Sequence, residues 1–254
     1  MTLFSDLTST QFALLMGIFL LGGMIKGALG FGLPLATMAV LPLVVPVELA
    51  LAINAVMLPF TNVTQFVQAR RMRETLIRFR YLIGGVVLGV PLGAGFVTAV
   101  NDDVLMVGLG LFVILFSTIT AFKPRVMVPA AGGGAVSAGV GVVAGIIGAL
   151  TAANGPIFVM YLVGLRVDRG LFLSALGLLF VVSGVLITGS FWFVGMMDIH
   201  RLSLAVLCVP AAIAGMQLGG AIGRRVSAER FQLVVLGVLC VLGVNLVLQG
   251  VRGL

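Results

Sequence analysis

Apolar residues run along this chain in long stretches, cut by short breaks rich in glycine, proline or arginine. The runs predict helical elements at 11–30, 34–46, 48–68, 81–100, 104–122, 129–150, 156–165, 170–194, 203–223 and 231–249. Most approach the about 20 residues that a helix needs to cross a hydrocarbon core about 30 Å thick. Residues 156–165 do not, because at about 1.5 Å rise each they cover only about half that depth. The first two elements are separated by Gly30-Phe31-Gly32-Leu33-Pro34, and the sixth and seventh by a break ending Asn154-Gly155-Pro156. Broken pairs are therefore expected at 11–46 and 129–165.

Composition fixes the solvent. Apolar residues make up 61% of the 254 positions and charged residues 9%, where a soluble domain is nearer half and a quarter. This excludes an ordinary soluble domain and, equally, disorder. The formal charge of +7 comes from arginines in short loops, a pattern that reports topology and anionic head groups rather than nucleic acid. Cys208 and Cys240 lie in apolar runs without a CxxC or a partner histidine, and read as small buried hydrophobes. Met1 to Gln11 has no basic residue ahead of its apolar run, so no cleaved signal peptide is expected.

The two halves resemble each other. Gly27-x-x-Gly30 recurs as Gly145-x-x-Gly148, and Gly89-x-x-Leu92-Gly93 as Gly215-x-x-Leu218-Gly219. From Gly89 the register runs on without gaps: Val100 matches Val226, Asp103 matches Glu229 and Leu105 matches Phe231, always 126 positions on. The expected organisation is a repeat at 1–122, a cytoplasmic connector at 123–128 and a second repeat at 129–254. Charge orients them. Arg70, Arg71, Arg73, Arg78 and Arg80 mark one loop as cytoplasmic, and Lys123 and Arg125 mark the connector. Asn101-Asp102-Asp103 should lie outside. In the second half the pattern flips: Gly195 to Leu202 is nearly neutral and outside, while Arg166, Arg169, Arg224, Arg225 and Arg230 fall inside. The fold expected is an all-α polytopic membrane protein of two inverted-topology repeats, about five helical elements each, with both termini outside. Matched broken helices in inverted repeats are a signature of secondary transporters, whose substrate sits at the breaks.

Candidate chemistry gathers there. Pro34 and Pro156 suit the first turn of a helix, whose positive dipole end then faces the break. Gly30, Gly32, Gly148 and Gly155 let a ligand approach the backbone. Such ends could hold an anion, or be kinks for packing. Lys26, deep in an apolar element, could face an anionic substrate or snorkel to the interface. Asn54, Thr61 and Gln65 share one helical face; with Thr151, Asn154 and Ser174 they could line a polar path or bond neighbouring helices. Gly85-x-x-x-Gly89-x-x-x-Gly93 and Gly215-x-x-x-Gly219-x-x-x-Gly223 read as close helix packing. Gly139-x-Gly141-x-x-x-Gly145 imitates a dinucleotide fingerprint but has no strand before it. His200 is the one histidine, Asp102-Asp103 reads as an exposed turn, and no catalytic motif appears, so neither an enzyme nor a cofactor or metal is expected. A channel remains an alternative to a carrier, as does a carrier of another small carboxylate or inorganic ion.

The blocks Gly27-Ala-Leu-Gly-Phe-Gly-Leu-Pro34 and Gly145-Ile-Ile-Gly148 to Asn154-Gly-Pro156, with the Gly-x-x-Leu-Gly helices, resemble the TauE/SafE family of sulfite and organosulfonate exporters. The resemblance implies export of a small sulfur oxyanion or sulfoacetate-like anion across a bacterial inner membrane, by alternating access around the breaks. The partners implied are that anion and the lipid bilayer, with a homodimer allowed.

Overall fold

The computed structural model describes residues 8–122, 133–223 and 227–254, the side chains of 228–230 excepted. The connector 123–128 with Lys123 and Arg125, as well as Arg224, Arg225 and Val226, lie outside the described residues, as do the side chains of Glu229 and Arg230. The described chain is helical and contains no strand. Its helices are α1 (Ser9–Leu29), α2 (Leu33–Met38), α3 (Val47–Gln68), α4 (Met72–Arg78), α5 (Arg80–Val97), α6 (Asp102–Phe122), α7 (Gly133–Thr151), α8 (Gly155–Gly164), α9 (Arg169–Phe193), α10 (Ile199–Gly223) and α11 (Ala228–Gly253). Eight of the described helices are long and apolar enough to cross a membrane, while α8 and the stretch Leu33–Leu43 are short. Large apolar side chains such as Leu88, Leu92 and Phe96 on α5, and Val234, Val238 and Val241 on α11, stand exposed. Rows of this kind need lipid to cover them.

Local chemistry sets the element ends. Thr8 caps α1: its hydroxyl accepts from the Gln11 N–H at 3.2 Å, and the Gln11 side chain accepts from the Thr8 N–H at 3.0 Å. Gly30 ends α1 in the left-handed region at φ 85°, its N–H donating to the Lys26 carbonyl. The expected element at 34–46 is not one helix. It is most of α2 and a separate 3-10 turn at Leu41–Leu43, ahead of α3. Pro42 cannot donate to the Met38 carbonyl and its ring crowds it, so α2 stops there. Helix α10 begins four residues before the expected Leu202–Ser203 boundary, because the Asp198 carboxylate accepts from the Arg201 N–H at 2.8 Å. Helix α4, where a basic loop was expected, buries Thr75 and leaves Leu76 and Ile77 exposed.

The chain forms two compact units, each assembled from both sequence halves. The first draws on 1–54, 100–123 and 196–254, the second on 55–99 and 124–195. In the first unit α1 lies along α10, and α6 along α11. Glycines allow backbone to touch backbone: a methyl on Gly215 would strike Leu20, on Gly219 Met24 and on Gly223 Ala28. In the second unit α5 lies along α7 in the same manner, with Gly85 on Ala138, Gly89 on Val142 and Gly93 on Ile146. The two zippers thus pack with the same four-residue spacing. Gly141 and Gly145 meet Leu82 and Val90 of α5, so the apparent dinucleotide fingerprint is a packing face. Lipid tails are as apolar as these helices, and close van der Waals packing holds them together.

Candidate functional site

The first unit contains the first break. Gly30 and Gly32 both take left-handed backbone, at φ 85° and φ 99°, which side-chain-bearing residues adopt at a cost. Pro34 opens α2, and every residue of that helix is buried. Lys26 lies one turn before the break and is 3% exposed, so its ammonium sits inside the protein rather than at a lipid-facing edge. Asn54 is buried and engaged: its side-chain N–H donates to the Ala50 carbonyl at 3.2 Å, and its oxygen accepts from the Thr37 hydroxyl at 2.6 Å. Asn54 therefore ties α3 to α2, a role the sequence also allowed. Thr37, its partner, escaped the sequence reading.

The second unit contains the second break. Helix α7 ends at Thr151, and Ala152 follows in left-handed backbone at φ 50°. Counted from the two prolines, Ala152 stands where Gly30 stands and Asn154 where Gly32 stands. Thr151 turns inward on its own chain, donating to the Ile147 carbonyl at 2.7 Å and accepting from the Ala153 N–H at 3.2 Å. Asn154 precedes α8 and is fully buried. Neither its side-chain nitrogen nor its side-chain oxygen has a hydrogen-bond partner among the described residues. Gly148 makes room for this amide: a methyl there would lie 2.7 Å from Nδ2. Gly155 likewise yields to the Phe180 ring, 2.8 Å from where its methyl would be. Pro156 has no N–H, and those of Ile157 and Phe158 donate to the Asn154 carbonyl. Few backbone donors are left at this end of α8, and the Asn154 side chain supplies the polar group that the break presents.

The other expected residues of this unit sort by partner. The Gln65 side chain donates to the Leu173 carbonyl at 3.3 Å, joining α3 to α9. Ser174 accepts from the Thr75 hydroxyl at 2.8 Å and so pins α4 against α9. Thr61 donates to the Met57 carbonyl at 2.6 Å within α3. Helices α3 and α9 run antiparallel, with Gly177 against Phe66 and Gly184 against Leu58 and Pro59. That register sets Asn62 of α3 level with Phe180, whose ring reaches the break. Asn62 is 1% exposed, and the buried Ser183 hydroxyl, one turn beyond Phe180, has no partner among the described residues. Both went unremarked in the sequence, although each is polar within an apolar helix.

At the arginine-rich end of this unit, Arg71 donates to the Asp168 carboxylate at 2.5 Å and pairs with Glu74 at 3.2 Å. The Arg71 guanidinium, followed by the Leu171 N–H, holds the Asp168 carboxyl below the usual carboxylate range, and Asp168 raises Arg71 in turn. The same carboxylate caps α9 by accepting from Gly170 and Leu171. Among the described residues no group of three His, Cys, Asp or Glu side chains lies together to hold a metal. The first break offers a buried ammonium and open backbone, and the second an unpartnered amide; groups of either kind can bind and release an ion.

The family model described as "Sulfite exporter TauE/SafE" matches residues 15–246. The chain belongs to this family. Neither the curated proteins nor the solved structures gave a match. A TauE/SafE chain is a membrane transporter of the sulfite-exporter type, and the eight long apolar helices suit a multi-pass member.

Proposed function

We propose that this TauE/SafE chain exports sulfite or a sulfoacetate-like organosulfonate from the bacterial cytoplasm across the inner membrane, by alternating access around its two breaks. The observation that carries the reading is Asn154: a fully buried amide with no partner among the described residues, at the break before α8. Buried polar groups of this kind cost about 1–3 kcal/mol when unsatisfied, and a site that binds and releases a ligand accounts for keeping one. Lys26, beside the first break, supplies the positive charge. Gly30, Gly32 and Pro34 shape the backbone of the first break, and Gly148, Thr151, Gly155 and Pro156 that of the second. Asn54, Gln65 and Ser174 hold the surrounding helices in place, and Thr61 adds a hydroxyl on the same helix as Asn54 and Gln65. The two halves are proposed to be inverted repeats, 1–122 and 129–254, with both termini outside.

An outward-moving anion needs no coupling ion. Each negative charge leaving an inside-negative cell gains about 2.3 kcal/mol per 100 mV. The test is transport in liposomes containing the purified protein. Sulfite or sulfoacetate inside should drive saturable counterflow of labelled substrate, and net efflux should carry current. Electroneutral exchange would remove potential-driven export. Flux that neither saturates nor shows counterflow would replace the carrier with a channel.

A further inference from the structure

We infer that the second break selects an anion that also carries a hydrogen-bond donor, such as hydrogen sulfite or a hydroxyl- or amino-substituted sulfonate, over a fully deprotonated ion that offers acceptors alone. The inference rests on the anion-carrier reading above and narrows its substrate class to hydrogen sulfite and donor-bearing sulfonates, setting aside sulfoacetate, which at neutral pH offers acceptors alone.

A side-chain amide has two donor hydrogens on nitrogen and an oxygen that accepts. In Asn154 both ends lack a partner among the described residues, and the residue is fully buried. Interchanging the nitrogen and oxygen leaves the same two ends open, so either orientation of the amide makes the same demand. A bare oxyanion satisfies the nitrogen only. Its oxygens would face the amide oxygen, acceptor against acceptor, and that oxygen would stay unpaired. A ligand carrying an oxyanion at one point and an O–H or N–H at another satisfies both ends.

The surroundings hold the amide in place for this task. Gly148 leaves the space that the amide fills, with Nδ2 2.7 Å from where a methyl would sit. The Phe180 ring closes against Gly155. The hydroxyl of Thr151 is committed to Ile147 and Ala153 and does not reach out to satisfy the amide. The Ser183 hydroxyl, one turn beyond Phe180 and also without a partner among the described residues, gives the same face of the second unit a further group able both to donate and to accept.

The test uses ligands of equal size that differ only in the donor. The full chain, purified in detergent, is titrated by calorimetry with 2-hydroxyethanesulfonate and with 1-propanesulfonate, in which a methyl replaces the hydroxyl. The carboxylate pair 3-hydroxypropionate and butyrate is run beside them. The hydroxyl ligand of a pair should bind about tenfold or more tightly than its methyl counterpart, the 1.4 kcal/mol expected when one buried acceptor is left unpaired. Asn154→Leu should erase that preference. Should that variant fail to fold, the comparison on the unaltered protein decides alone. Equal affinities within each pair would overturn the donor requirement and leave the anion carrier standing. A preference that survives in Asn154→Leu would overturn the assignment to Asn154. A preference within the carboxylates, with no sulfonate bound, would uphold the donor requirement and move the cargo away from sulfur. No binding by any of the four would overturn this inference, while sulfite counterflow in liposomes tests the anion reading separately.

Discussion

Replacing Gly27 by alanine adds one methyl group where α1 crosses α10, and the packing gives its cost. The new carbon would lie 2.8 Å from the Met216 carbonyl carbon and 2.9 Å from the Gly220 nitrogen, with the Met216 oxygen closer still. All three are backbone atoms, so no rotamer change relieves the clash. Ordinary van der Waals separation begins at 3.4 Å, and the helices must part to reach it. Overpacking of this kind costs about 1–3 kcal/mol, with rigid surroundings at the upper end. Parting also loosens the adjoining backbone approaches at Gly23, Gly215 and Gly219, where each weak C–H···O interaction broken costs about 0.5–1 kcal/mol. Against this stands about 1 kcal/mol from the better helix propensity of alanine. The net expectation is a destabilisation of about 2 kcal/mol. Gly17 is the control, since it lies on the same helix and a methyl there meets nothing within 4 Å. Gly17→Ala should be neutral or stabilising by up to about 1 kcal/mol. Unfolding of the purified protein in mixed micelles, by tryptophan fluorescence at Trp192 and circular dichroism, reads both variants. The same contrast should appear in the second unit, where Gly141→Ala meets the Leu82 backbone and Gly139→Ala meets nothing. Like shifts for Gly17→Ala and Gly27→Ala would refute the packing argument.

Three further outcomes are expected. Ala152→Gly should leave stability unchanged or raise it by up to about 1 kcal/mol, because relief of the left-handed strain outweighs the added freedom of the unfolded chain; a clear loss in the same unfolding assay would show that the φ of 50° carries no strain. Lys26→Met keeps the side chain's bulk without its charge and should weaken anion binding at least tenfold, and unchanged affinity by calorimetry would exclude the ammonium from the site. Arg71→Ala should lower the thermal midpoint modestly in low salt and hardly at all in high salt, since the pair is exposed, whereas Asp168→Ala should lower it in both, because that carboxylate also caps α9. The Asp168 carboxyl is held low, so its contribution is present above the ordinary carboxylate range and is lost as pH falls from there through its lowered value; a midpoint difference between the native chain and Arg71→Ala that grows on acidification would contradict this.

The fold was legible wherever one residue type has a single physical meaning. Proline after a glycine-rich break suits the first turn of a helix, and Pro34 and Pro156 located both breaks to within a residue. Glycines four apart in an apolar run have little use but close packing, and Gly85, Gly89 and Gly93 do pack on α7. Legibility ended where two arrangements share one pattern. Successive zipper glycines look alike in sequence, so the pattern alone does not say which glycine of one half answers to which of the other. Helix α4 was hidden because its arginines read as a loop, while its order comes from the buried Thr75–Ser174 bond, which joins positions 99 apart in the chain. Pro42 was as visible as Pro34, yet the apolar run around it masked the stop it imposes on α2.

The candidate site shows the same boundary more sharply. Asn54, Gln65, Ser174 and Asn154 are alike in sequence, each a polar residue within apolar surroundings. What separates them is whether a partner stands within about 3 Å, the reach of a hydrogen bond. Asn54 finds Thr37, Gln65 finds the Leu173 carbonyl and Ser174 finds Thr75; these three are joints between helices. Asn154 finds no partner among the described residues. The first break places Gly32 at the equivalent position, where there is no side chain to satisfy. The two breaks are therefore unlike in chemistry although alike in outline: the first has a buried ammonium one turn away and bare backbone at its centre, the second a neutral amide. An ion held at the first is held by charge, which falls off slowly with distance and tolerates many shapes. An ion held at the second is held by hydrogen bonds, which demand a donor and an acceptor in fixed places. On the proposed reading, charge selectivity belongs with Lys26 and recognition of the cargo with Asn154, so substitutions at the two residues should change different properties of transport.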